Sequence, residues 1–419
     1  MSISSEAAIR LTRQILWALL LGIGVGLLIA QTPDDWTWVH QGIKDGLLKL
    51  LADVFRHALM LLVVPLVFFS LTSGTAALGE PSQLGRLGTK ALGLYLLTTL
   101  IAAAIALSLA LWIEPGAGVT AATMAYTPPP SPPVLEVLAN MVPKNPVQAM
   151  AETQMLQIIV FAVLVGVAIT MAGAAGKRIA AQLEDWNQVV LQLVAIVMKF
   201  APIGVFALLA RAVADAGMDT LGKLLTYFIL VLVALAIQLL VVMPLMLRFI
   251  GRLDPRPWLR KMREVWLFAF ATSSSNATLP VNMRVAEERL GVSGKVAAFA
   301  IPLGATVNMN GTAMMQSIAA VFVAQLYGID LTLVQLLTIV GMATIAAIGA
   351  AGVPSAGMVM LVSVLSQVGL PVEAIGLLLS VDRLLDMART VVNVSGDAAV
   401  ACIVAKSEGQ LDQARYDER

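Results

Sequence analysis

Apolar residues run along this chain in long unbroken blocks, with polar residues between the blocks or in tight clusters inside them. A bilayer core of about 30 Å takes roughly 20 apolar residues per helical crossing. Blocks of that length cover residues 14–31, 58–78, 91–113, 156–175, 189–213, 225–250 and 296–326, and each predicts a membrane-spanning helix. A last block, 374–406, is interrupted by charges. The first follows Arg10 and Arg13 and ends in Gln31-Thr32-Pro33-Asp34 without a small-residue cleavage pattern, so it reads as a retained helix and not a signal peptide.

Basic residues fall on alternate connections: Arg86 and Lys90, then Lys177 and Arg178, then Arg248, Arg252, Arg256, Arg260, Lys261 and Arg263. The positive-inside rule makes those connections and both termini cytoplasmic. The opposite set holds Asp34, Asp35 and a long stretch, 114–146, with Pro128-Pro129-Pro130-Ser131-Pro132-Pro133, which reads as a surface loop with polyproline II character.

Composition narrows the class. Hydrophobic residues make up 59% and charged residues 13%, and the mean hydropathy of +0.87 belongs to an integral membrane protein. A net charge of +1 offers no footprint for nucleic acid, and His40 and His57 cannot build a metal cluster. Cys402 has no cysteine to pair with and reads as a small buried hydrophobe.

Two apolar segments do not read as spanning helices. The cluster Thr272-Ser273-Ser274-Ser275-Asn276-Ala277-Thr278-Leu279-Pro280 breaks one, and Ile348-Gly349-Ala350-Ala351-Gly352-Val353-Pro354-Ser355-Ala356-Gly357 breaks the other. Unwound backbone at membrane depth survives only where protein buries it or it lines a watery cavity. A lone cluster would be an ordinary kink, but two in corresponding places point to re-entrant helix-turn-helix hairpins of inverted repeats closing on a binding site. Their tips would turn backbone N–H groups toward an anion, which suits a carboxylate. A third interruption, Thr306-Val307-Asn308-Met309-Asn310-Gly311-Thr312-Ala313, divides the block 296–326 and supplies oxygens of the kind that replace a small cation's hydration shell.

In the charged block, Asp382, Asp386, Arg389, Thr390, Asn393 and Asp397 fall within about 60° of one helical direction. Each mid-membrane charge costs at least about 2.5–3.5 kcal/mol, so this face must turn to protein or a cavity. A solvated amphipathic helix is the alternative, and the apolar opposite face (Leu384, Leu385, Val391, Val392, Val394) argues against it. Arg389 offers a rigid fork for a carboxylate, Asp386 can hold an ammonium, and Thr390 and Asn393 can orient a second carboxylate. Together they describe an amino acid with an acidic side chain.

At these residues the chain resembles the dicarboxylate/amino acid:cation symporter family almost end to end. The motifs are Leu62-Val63-Val64-Pro65-Leu66-Val67-Phe68, Val142-Pro143-Lys144-Asn145-Pro146, Ala201-Pro202-Ile203-Gly204-Val205-Phe206, the serine-rich tip, Asn308-Met309-Asn310-Gly311-Thr312, Gly352-Val353-Pro354 and Asp386-Met387-Ala388-Arg389-Thr390-Val391-Val392-Asn393-Val394. The resemblance implies an all-α membrane protein with eight transmembrane helices and two re-entrant hairpins, forming homotrimers. Residues 1–78 would be scaffold, 79–113 a transport-domain helix, and 114–250 two scaffold helices plus one of the transport domain. Residues 251–406 would be the transport core, which moves as an elevator, and 407–419 a cytoplasmic tail. It implies no cofactor. Arg389, Asp386, Thr390 and Asn393 would bind substrate together with Thr312, the first tip (Ser274, Ser275, Asn276) and the second (Gly352, Val353). The coupled Na+ or H+ would use Asp397, Asn308 and Asn310, then Thr306 and Met309, then Tyr95, Thr98 and Thr99.

Two departures bear on coupling. The family usually carries Asp where Asn310 stands, and at an effective dielectric of about 20 one charge roughly 4 Å away is worth about 4 kcal/mol to a cation. Fewer coupled sodium ions, or proton coupling, is the expectation. Archaeal members carry an arginine where Ser273 stands, whereas here Arg383 lies one turn before Asp386. Competing readings are a C4-dicarboxylate or neutral amino acid carrier of the same fold, an anion-leaking channel, and an intramembrane enzyme using Ser274 or Ser275. The last lacks a nearby histidine or lysine to activate a serine.

Overall fold

The computed structural model describes residues 5–33, 35–77, 86–118, 142–349, 352 and 355–418. The expected loop sequence Pro128–Pro133 and, at the second tip, Ala350, Ala351, Val353 and Pro354 lie outside them. No strand occurs among the described residues, only a lone antiparallel bridge between Val292 and Leu411. The early helices are α1 (Ser5–Ala30), α2 (Lys49–Ala77, entered through π-helical Trp38–Leu48), α3 (Arg86–Ile113), α4 (Pro146–Ala151), α5 (Met155–Met171) and α6 (Gly173–Lys199). Then come α7 (Ala201–Ile237), π-helical Gln238–Val242, α8 (Met243–Phe249), α9 (Pro255–Lys261), α10 (Arg263–Thr272), α11 (Ser275–Glu288) and α12 (Gly294–Val307). The last are α13 (Asn310–Leu326), α14 (Leu333–Gly349), α15 (Ala356–Val368), α16 (Ile375–Ser407) and α17 (Gln413–Asp417).

Polarity is distributed for oil. Trp112 (81%), Leu267 (75%) and Leu333 (71%) stand exposed on the outside while Asp382, Asp386, Arg389 and Asp397 are buried. Among the described residues, Arg86–Ile113, Gly222–Phe249 and Val372–Ser407 are long and apolar enough to cross a membrane, and Leu20–Ala30, Gln157–Met171, Leu333–Ile348 and Ala356–Val368 are shorter apolar helices. The block 189–213, expected as one span, is two helices meeting at 52°. The break falls at Phe200, because Pro202 has no N–H to continue a helix and fits its first turn instead.

Both serine- and glycine-interrupted segments fold back as hairpins. Thr272 ends α10 because Ser273 takes φ +50°, and Ser274 starts α11 by accepting the Ala277 N–H at 3.2 Å. Glu264 near the start of α10 pairs with Arg284 and Arg289 near the end of α11, so the two run antiparallel. In the second hairpin, Gln335 Nε2 near the start of α14 donates to the Val368 carbonyl at the end of α15, at 3.1 Å.

The charged helix α16 sits in the middle, packed by α3, α7 and α10 to α13. Asn282 Nδ2 donates to the Val394 carbonyl (3.0 Å) and Trp266 Nε1 to Ser395 Oγ (2.7 Å), fastening the first hairpin to α16. A second group forms around α2, which packs against α5, α6 and α7 and also touches α14 and α15, while α1 lies along α7. The segment after α16 is bound to this body: Lys261 Nζ donates to the carbonyls of Arg289, Arg415 and Tyr416, and buried Tyr416 donates to the Asp254 carbonyl at 2.8 Å. Burial pulls the Lys261 ammonium below its usual range.

Candidate functional site

The polar face of α16 meets the hairpins where both helix pairs turn. Arg389, 1% exposed, has Nη1 2.9 Å from Asp382 Oδ1, and its Nη2 donates to Asp386 Oδ1 at 2.7 Å. The other Asp386 oxygen accepts the Ser355 backbone N–H at 2.9 Å and lies 3.8 Å from Arg383 Nη1. Ser355 holds φ +63° at the start of α15, a left-handed conformation costing a residue with a Cβ about 1–2 kcal/mol. The Asp386 hydrogen bond holds that turn against the charged helix.

Thr390 Oγ1 donates to the Asp386 carbonyl of its own helix at 2.8 Å. Asn393 crosses to α13: its Oδ1 accepts the Gly311 N–H at 2.8 Å, and its Nδ2 donates to Thr312 Oγ1 at 3.4 Å. A Cβ on Gly311 would stand 2.9 Å from the Arg389 carbonyl oxygen, so only glycine lets α13 approach α16 this closely. The tips meet directly, as Ser274 Oγ (2.7 Å) and the Asn276 N–H (3.1 Å) both donate to the Gly352 carbonyl. Ser275 is buried in the first turn of α11, and Val353 lies outside the described residues.

The expected cation residues divide. Thr99 Oγ1 donates to Asn310 Oδ1 at 2.7 Å, and Thr98 Oγ1 approaches Asn308 Oδ1 (3.3 Å) and Asn310 Oδ1 (3.4 Å). Asn308 Nδ2 donates to Asp397 Oδ1 at 2.9 Å. A Cβ on Gly304 would fall 2.4 Å from Asp397 Oδ1 and 2.9 Å from the Tyr95 hydroxyl, which places Tyr95 at the same spot, its O–H donated to the Ala300 carbonyl at 2.8 Å. Hydroxyls, amide oxygens and one carboxylate thus converge from α3, the α12–α13 break and α16, a hard oxygen set suited to a small cation. Thr306 stands apart, its hydroxyl donating to the Leu303 carbonyl of its own helix at 2.8 Å, and buried Met309 makes no side-chain hydrogen bond to the set.

Sequence reading gave Asp382 no role, although it lies two turns before Arg389 on the same face, and that spacing was the available signal. It also missed Gln316, whose Nε2 donates to the Gly357 carbonyl at 3.1 Å from inside α13. A residue's partner on another element has no such signal.

The profile of the sodium:dicarboxylate symporter family matches residues 11–407. Curated relatives include the proton/glutamate-aspartate symporter of Escherichia coli (strain K12), 34% identical over 96% of this chain and 93% of that protein. The proton/sodium-glutamate symport protein of Bacillus subtilis (strain 168) is 34% identical over 97% of this chain and 95% of its own length. The neutral amino acid transporter B(0) of Oryctolagus cuniculus is 35% identical, covering 91% of this chain and 77% of that protein.

Proposed function

The chain belongs to the sodium:dicarboxylate symporter family, a family of transporters and not of enzymes, and on that premise we propose that it moves glutamate or aspartate across a cytoplasmic membrane, driven by a cation gradient. One observation carries the substrate: a buried guanidinium fork and a buried carboxylate, Arg389 and Asp386, stand side by side where the hairpins turn. The fork takes the side-chain carboxylate and Asp386 the ammonium. Asn393, Thr390 and Thr312 orient the second carboxylate, and the tips at Ser274 to Asn276 and at Gly352 to Val353 close over it. The cation takes the oxygens of Asp397, Asn308, Asn310, Thr98, Thr99 and Tyr95, with Thr306 and Met309 joining as the second hairpin moves.

On this reading the fold is eight crossing helices with two re-entrant hairpins, both termini cytoplasmic, in a homotrimer. The mutual packing of α2, α5 and α6 supports a fixed scaffold beside an elevator-like transport unit, with α7 contacting both groups. The second reading is a neutral amino acid carrier, which the rabbit relative's name favours. Arg389 argues for an acidic side chain, and Asp386 argues against a C4-dicarboxylate without an amine. Proteoliposomes with sodium and proton gradients imposed separately test all of this. Uptake of radiolabelled aspartate or glutamate under either gradient is expected. Uptake of alanine or serine with no aspartate uptake would refute the acidic reading.

A further inference from the structure

Asp382 is the carboxylate of the buried charge cluster left without a task. It is 2% exposed, with Oδ1 2.9 Å from Arg389 Nη1. That contact is ionic and out of line for a hydrogen bond, and neither Asp382 oxygen accepts one among the described residues. The charges that act on it are those of Arg389, Asp386 and Arg383 of its own helix, and the Tyr227 phenol, nearby on α7, brings none. The packed helices α13 and α15 contain no titratable side chain, and Glu373, before α16, is exposed.

Two guanidiniums against two carboxylates leave this cluster neutral. An acidic amino acid brings two carboxylates and one ammonium, and its side-chain carboxylate needs the fork that Asp382 holds. Two carboxylates on one buried guanidinium repel unless one takes a proton. We propose that Asp382 is the carrier of a co-transported proton: it accepts H+ as the substrate carboxylate displaces it from Arg389, and releases H+ as the substrate leaves. The step balances. One O–H bond forms on Asp382 from a proton of the aqueous phase, the Arg389–Asp382 ion pair gives way to an Arg389–substrate pair, and the cluster with its substrate carries no added charge. This rests on the acidic amino acid reading above and names the atom group through which a proton gradient would do work on it.

The test titrates the full-length protein in detergent with L-aspartate by calorimetry, in two buffers of different ionisation enthalpy and across neutral pH. The unmutated protein is expected to take up about one proton per aspartate, with affinity falling about tenfold per pH unit on the alkaline side. Asp382→Asn should take up none, its affinity changing less than about twofold over the same range. Asp382→Glu should restore the proton with a displaced pH profile, a readout that a purely structural role would not move. If Asp382→Asn does not fold, the Asp382→Glu profile decides: displacement supports the proposal and identity with the unmutated profile overturns it. Proton uptake persisting in Asp382→Asn overturns it, as does sodium-dependent, proton-free binding in the unmutated protein, which leaves the acidic amino acid reading intact. Failure of the unmutated protein to bind aspartate or glutamate overturns both.

Discussion

Arg389 answers to two aspartates, so its removal has two effects. Arg389→Ala leaves Asp382 without its ion-pair partner and Asp386 with Arg383 alone, and breaking such a buried pair costs about 3–5 kcal/mol. Affinity for aspartate should fall roughly 30-fold or more, since losing one partner of a desolvated charge pair costs about 2–5 kcal/mol in binding. Calorimetry at matched folded fraction separates the two, and unchanged affinity in folded protein would sink the assignment. Asn310 is the second informative residue. Its amide oxygen already accepts from Thr98 and Thr99, so Asn310→Asp places a full charge among oxygens that are in position. Aspartate binding should become more steeply sodium-dependent, read as the slope of log Kd against log sodium. An unchanged slope would show that the oxygens do not enclose sodium.

At the level of elements, the hairpins meet through one backbone and one side-chain donor to the Gly352 carbonyl, which leaves no room for a methyl group. A Cβ on Gly352 would sit 2.6 Å from Asn276 Oδ1 and 3.1 Å from the Asn276 nitrogen, so Gly352→Ala must part the tips or move Asn276. Aspartate uptake is expected to fall at least about tenfold, about the 1.4 kcal/mol that loss of one or two hydrogen bonds represents. Uptake at the unmutated rate would mean that the tips separate in every transport-competent state. Gly304→Ala puts its methyl between Asp397 and Tyr95, and should weaken cation dependence more than substrate affinity measured at saturating cation.

Across the whole molecule, the end of α16 is tied to α3 by ions. Glu408 accepts from Arg86 Nη2 at 2.7 Å and from Lys90 Nζ at 2.6 Å. Hydrogen bonds from Arg86, then from Lys90, pull its carboxyl down to about 2. A carboxyl depressed in the folded state adds stability that is fully present above its unfolded pKa of about 4.3. That stability is lost as pH falls toward about 2. Glu408→Gln should therefore lower the thermal midpoint slightly at neutral pH and not in acid, where both proteins carry a neutral group. Equal midpoints at neutral pH would show that the tie contributes nothing. Deleting 408–419 removes Tyr416 from its buried seat and should cost more than Glu408→Gln by the same measurement.

The sequence by itself determined that the chain is helical and lives in a membrane, because block length and residue charge are local properties that hydrocarbon reads directly. It also determined which face of α16 is polar and where the helices break at Ser273 and Asn308, since helical spacing and local backbone chemistry act within a few residues. Tertiary structure alone decided the pairings. Asp382 rather than Asp386 alone holds Arg389, the Gly352 carbonyl receives both donors of the first tip, and Thr99 and Thr98 from α3 meet Asn310. It alone fixed the bend at Phe200 and the docking of residues after α16. Such contacts join positions up to 322 residues apart, and no period or propensity along a chain encodes a distance across it.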